Sequence, residues 1–189
     1  MDKAGAITRF LERVDRFPQV LLVTDEEIVE LFGTHVAAVL SKLERHGEET
    51  RSCTECGGDC CRDIGCELYA PEFGQCPIHD VRPIVCRFHF CHRFDSARKE
   101  LIVGLRDIFL GCFRAVDMWD SPNLRSMDVP PLAEFCPDLV NVAVPIVQAV
   151  RQHRLDPQKA QEAIGREARA FREHCRLGTK EEAAGCPET

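Results

Sequence analysis

Eight of the twelve cysteines fall within the 39 residues from Cys53 to Cys91. Their order is Cys53-x2-Cys56-x3-Cys60-Cys61, followed by Cys66, Cys76, Cys86 and Cys91. Thiolates are soft metal ligands, and a Cys-x2-Cys step lets two side chains meet at one metal. Gly57, Gly58 and Gly65 let the backbone curl so that amide N–H groups point at sulfur, which offsets the negative charge a thiolate cluster concentrates. In a chain that reads as cytosolic, this density points to metal chemistry ahead of inert buried thiols or a disulfide framework. All eight are therefore candidate metal ligands.

The spacing bears on which metal. A zinc ribbon needs two paired knuckles, and only Cys53 and Cys56 have that step. The remaining gaps are 3, 0, 4, 9, 9 and 4 residues. The bacterial ferredoxin run is absent, yet an iron–sulfur cluster tolerates irregular spacing because its irons present separate binding points. Adjacent Cys60 and Cys61 are expected to diverge, serving two different irons or a bridged pair rather than one zinc. The expected cofactor is an Fe–S cluster, with a Zn or Fe ion as the alternative. His79, His89 and His92 lie near the cluster, and any of them could replace a thiolate. Arg82 and Arg87 flank Cys86. They could donate N–H bonds to cluster sulfur, or else pair with Asp80, Asp63 or Glu67.

These residues resemble the YkgJ-type cysteine-cluster family, a bacterial domain described as zinc- or iron-chelating and often as carrying an Fe–S cluster. Its pattern opens C-x2-C-x3-CC and closes C-x-x-L…G-x-C-x-I-Y-x-x-R-P-x-x-C-R-x-F-x-C. Cys53, Cys56, Cys60, Cys61, Cys66, Gly74, Cys76, Ile78, Arg82, Pro83, Cys86, Arg87 and Cys91 fall on it. Leu68 comes one position early, and Tyr69 stands at the family's leucine. His79 and His89 stand at positions that are usually aromatic. The resemblance covers only the cysteine-rich segment. It implies a metal-bound cysteine cluster and no defined reaction.

The elements that must position these residues read as helical. Ile7, Phe10, Leu11, Val14 and Phe17 form one apolar stripe that Pro18 ends. Val20 to Val23 is a short linker or strand. Thr24 and Glu27 have capping-box spacing, and Ile28, Leu31, Phe32, Val36, Val39, Leu40 and Leu43 continue one helix to a stop at Gly47. Residues 51–82 are expected to be loop, broken by Gly57, Gly58, Gly65, Gly74, Pro71 and Pro77. Arg82-Pro83 restarts a short helix over 83–94. Leu101, Leu105, Ile108, Cys112, Ala115 and Trp119 predict a further helix, with a proline-rich loop over 121–131. Residues 137–152 read as a helix kinked at Pro145 or a short strand. Asp156-Pro157 opens a last helix, with Ala160, Ile164, Ala168 and Phe171 on its apolar side and Gly178 at its end. The expected fold class is mainly α, a helical body around a cysteine-rich, loop-built metal site. It divides into an N-terminal helical segment (1–50), a cysteine-cluster segment (51–95), C-terminal helices (96–178) and a tail (179–189), within one compact domain. Cys112 is assigned to the core, Cys136 and Cys175 to structural roles, and Cys186 to a free thiol in the tail.

At 189 residues with 44% hydrophobic and 29% charged content, the chain can bury a core. Its 24 basic and 31 acidic residues give a net charge of -7 without a basic block, which argues against nucleic acid. No apolar run reaches the roughly 18 residues of a membrane span. The charged start, MDKAGAITRFLERVDRF, lacks the apolar stretch of a signal peptide, so a cytoplasmic location is expected. Nucleophile-elbow, phosphate-loop, dinucleotide and His-Glu-x-x-His motifs are missing. The expected function is metal binding in redox or metal handling, with a protein or redox partner. The alternatives are a zinc-stabilised protein-interaction module and a metal- or Fe–S-dependent redox enzyme.

Overall fold

The structure is a computed structural model describing residues 1–13, 22–90, 94–115 and 132–184; the side chains of residues 53, 134, 135 and 175–184 lie outside the description. The described residues are mainly helical and contain no extended strand, only an isolated antiparallel bridge between Leu22 and Pro83.

Three helices and a fourth from later in the chain build a first core. α1 (Lys3–Arg13) starts where the Asp2 carboxylate accepts the Gly5 N–H at 3.0 Å. α2 (Asp25–Phe32) carries the expected capping box, with Thr24 and Glu27 bonding each other's backbone N–H. The single helix expected from Ile28 to Leu43 is instead two. Gly33 adopts a φ of 84°, ending α2 and opening α3 (Thr34–Glu49). There Arg9 donates to the Phe32 carbonyl at 3.0 Å, so its guanidinium occupies the space a Cβ on residue 33 would need. Gly47 does not stop α3, which runs on to Glu49. A Cβ there would lie 3.4 Å from the Phe94 ring, so packing against that ring outweighs the helix-breaking tendency. The fourth helix, α7 (Ser96–Ala115), closes this core, and Asp95 accepts the Arg98 N–H at its start. Phe10, Phe32, Phe88, Phe109 and Phe113 pack ring on ring between these helices. Cys112 is fully buried there, as its stripe position predicts.

A second, separate core joins the C-terminal helices. α8 is Leu132–Phe135, α9 is Pro137–Arg151 and α10 is Pro157–Ala184. The 137–152 segment is thus helix rather than strand. Pro145 lies on its exposed side, where the carbonyl it leaves unpaired can face water. Asp156 caps α10 through the Lys159 N–H, as expected, but the helix continues past Gly178. Ala143, Val147, Ala160, Ile164 and Ala168 meet Leu68, Phe73, Ile78 and Val81 of the cysteine-rich segment, and Cys136 is buried among them.

Between the two cores, residues 51–82 are not the continuous loop expected. They form α4 (Ser52–Cys56), α5 (Asp59–Asp63) and two 3-10 turns, Pro71–Phe73 and His79–Val81, while the helix after Pro83 is only α6 (Ile84–Arg87). The breakers work by bending: Arg51, Gly57, Gly58, Gly65 and Gly74 all take left-handed φ values between the short turns. The stripe residues Val14 and Phe17, the stop at Pro18, Trp119, the 121–131 loop and Cys186 lie outside the described residues. Among those described, no helix is long and apolar enough to cross a membrane.

Candidate metal centre

The short turns aim thiols inward. Gly58, at φ 76°, turns the chain from α4 into α5, and its bare Cα lets the Tyr69 ring approach to 3.3 Å of where a Cβ would stand. The Cys61 N–H bonds Gly58 O at 2.9 Å, and the Cys66 N–H returns to Cys61 O at 3.0 Å, so Cys60, Cys61 and Cys66 sit in one tight double turn. Cys86 lies in the single turn of α6, its N–H bonded to Pro83 O at 2.8 Å. Cys60, Cys61, Cys66, Cys76 and Cys86 all line one cavity of about 260 Å³, together with His79, His89, Arg82, Glu44 and Tyr69. Leu43, Ile64, Val85, Phe90 and Phe94 supply its apolar wall.

Of the eight cysteines expected as ligands, these five come together. Cys56 is half-buried but is not among the lining residues, the Cys53 side chain is not described, and Cys91 and His92 lie outside the described residues. Cys56, Cys60, Cys61, Cys66, Cys76, Cys86 and Cys112 are free thiols. Cys60 and Cys61 do not diverge as expected. Both line the cavity, from α5 just after the left-handed Gly58, and their thiols couple each other's ionisation.

Electrostatics couple the five. The hydrogen bond from Cys61 brings the Cys60 thiol down to about 6 against the opposing effect of burial, with the nearby His89 adding to the fall. The same bond, then burial, then the charges of Cys60, Cys76 and Cys66 drive Cys61 up. Burial first and Cys76 second push Cys66 up to about 12. Burial also raises Cys76 and Cys86, while the Arg82 guanidinium pulls both back down. Each thiolate formed in this cavity therefore resists the next, and a cation among them would remove that resistance. The thiols line walls rather than converge on a point: among the described residues, no three His, Cys, Asp or Glu side chains are grouped as a ready site for one ion.

Arg82 and Arg87 hold the frame. Their partners are not Asp80, Asp63 or Glu67, which engage Arg169, Arg62 and the Ala133 N–H instead. Arg82 donates to Glu44, and its Nε is buried without a hydrogen-bond partner. Arg87, only 3% exposed, donates to Asp25, and its Nε lies 3.8 Å from the Glu44 carboxylate. Glu44 is a site residue the cysteine pattern does not disclose. Its signal is local: it stands four residues after Leu40 on the buried side of α3, where a charge calls for a partner. His79 is half-buried, and burial, followed by the Arg82 and Arg87 charges, takes its imidazole down to about 4.

Compared with known proteins, the chain matches no family model, no curated protein and no solved structure, so the likeness to the YkgJ-type family rests on the residues quoted for it.

Proposed function

We propose that the cavity binds metal through its cysteines, as an Fe–S cluster or as a Zn or Fe ion, and that the protein serves redox chemistry or metal handling in the manner of the YkgJ-type family. The observation that carries this reading is five free thiols lining one cavity, with burial and the neighbouring thiols opposing the ionisation of every one but Cys60. The donor set fits a soft or borderline cation, which thiolates prefer. A bound metal would supply the positive charge the cavity lacks, and an iron–sulfur cluster would add electron transfer. Cys60, Cys61, Cys66, Cys76 and Cys86 would hold it, with Cys53, Cys56 and Cys91 completing the set. Arg82 would offer its unpartnered Nε–H to a sulfur, while Arg87 fixes α6 through Asp25 and Glu44. A reducing, cytoplasmic compartment would keep the thiols available.

The test is anaerobic purification followed by a visible spectrum and assays of iron, zinc and acid-labile sulfide. Broad visible absorption with matched iron and sulfide supports the cluster. A colourless protein holding zinc supports the single-ion form, since zinc is d10, and turns attention to an interaction module. Cys76→Ser and Cys86→Ser should each lower metal content sharply, whereas Cys112→Ser should leave it unchanged. Absence of metal, or equal content in all three variants, would overturn the proposal.

A further inference from the structure

At two of the places where the chain passes between its two hydrophobic cores, the backbone is itself paired. Leu22 belongs to the second core and Val23 to the first; Val81 belongs to the second and Ile84 to the first. At these crossings the Val23 N–H bonds the Arg82 carbonyl at 3.3 Å, and Leu22 bridges Pro83. Near them, Arg172 of α10 donates to the Leu22 carbonyl and to Glu27 of α2, the latter at 2.6 Å, in an ion pair less than a tenth exposed on either side. Among the described residues, α1, α2, α3 and α7 pack on one another, as do α8, α9 and α10, and no broad helix-to-helix contact joins the two groups. The thiol cavity is lined by residues of both cores. Cys66 and Cys76 pack against the second core, whereas Leu43, Val85 and Phe90 of the cavity wall belong to the first.

We infer that the protein is a two-lobed hinge, with the 22–23/82–83 backbone pair as pivot, the Arg172–Glu27 pair as strap and the thiol cavity as latch. The latch rests on the metal-binding reading. A metal cluster spanning the cavity from Cys66 and Cys76 on one wall to Cys86 on the other would tie the lobes together, and its loss would let them part while each keeps its own core. The lobes' relative placement would then depend on metal occupancy.

Hydrogen exchange with mass spectrometry tests this on full-length protein, loaded with Fe²⁺ and sulfide or with Zn²⁺ and then stripped by chelator, with bound metal measured in each sample. Stripping should raise exchange by about tenfold or more in residues 64–90, while the buried turns of α3, α7 and α9 keep their protection. Uniform loss across both helical groups, or no change after confirmed metal loss, overturns the hinge. If the protein takes up neither metal, the metal-binding reading fails by itself, and Arg172→Leu decides the hinge. That variant should raise exchange at 22–28 and 78–84 and spare both cores. Protection unchanged at those segments, or lost throughout, would show that the strap does not join separable lobes.

Discussion

Replacing Phe88 with alanine should cost the first core about 3–5 kcal/mol. The figure follows from what the ring touches. Phe88 is 5% exposed, so the transfer cost of its side chain is about 1.5–3 kcal/mol. Its ring centroid lies 4.7 Å from that of Phe32 and 4.9 Å from that of Phe109, and each such pair adds about 0.5–1.5 kcal/mol. Phe88→Leu keeps an apolar group in the slot and should cost less than half as much. Urea unfolding of metal-free protein, followed by circular dichroism, reads the loss as a lower midpoint at unchanged slope. Should the two cores melt separately, only the transition of α1, α2, α3 and α7 should move. Because Phe88 follows Cys86 by two residues, Phe88→Ala should also release metal faster to a chelator if the cavity holds metal as proposed, though every thiol is intact. A loss below about 1 kcal/mol would show that Phe88 does not anchor α6 between these rings.

Gly58→Ala places a methyl in left-handed backbone and against Tyr69, whereas Gly65→Ala, at φ 68° with open space, meets only the backbone penalty of about 1–2 kcal/mol. Thermal melts should therefore rank Gly58→Ala below Gly65→Ala, and the reverse order would contradict the Tyr69 contact. His79 takes its proton near 6.5 when unfolded and near 4 when folded, so the unfolded chain binds more protons between those values. Metal-free protein should lose stability as pH falls from 6.5 to 4, and His79→Gln should flatten that slope in urea midpoints; an unaltered slope would remove His79 from the account. At pH 8, iodoacetamide should label Cys60 of native metal-free protein well before Cys112, whose thiol burial holds up at about 12, and before the buried Cys136. Peptide mapping showing Cys112 modified at a comparable rate would refute that order.

The helices were legible because their signals are local. The Thr24–Glu27 box, the Asp156-Pro157 start and the stripes around Leu105 and Ile164 each lie within a few turns of the residues they govern. Their ends were not. Gly33 splits a continuous apolar stripe because Arg9, from another helix, fills the space beside it, and Gly47 stays helical because Phe94 lies against it. Both decisions are made by residues distant in sequence, and periodicity carries no record of them.

The site divides in the same way. Cysteine type and order pointed to the segment whose thiols gather, and five of its eight line one cavity while Cys56 does not. Orientation stayed hidden: Cys60 and Cys61 both line the cavity from a turn that follows Gly58, whose left-handed conformation the sequence permits but does not demand. The charge partners stayed hidden for a related reason. Arg82 had acidic residues close in sequence, yet it pairs with Glu44, 38 residues away, because Glu44 is half-buried beside it and would otherwise be an isolated charge. Arg87 likewise reaches back 62 residues to Asp25. Both arginines thus spend their charge on α2 and α3 rather than on the cysteine segment itself. Metal held near Cys86 would consequently act on the first helical group through α6, Glu44 and Asp25, and on the second through Cys66 and Cys76. A cysteine cluster serving only its own loop would need neither connection.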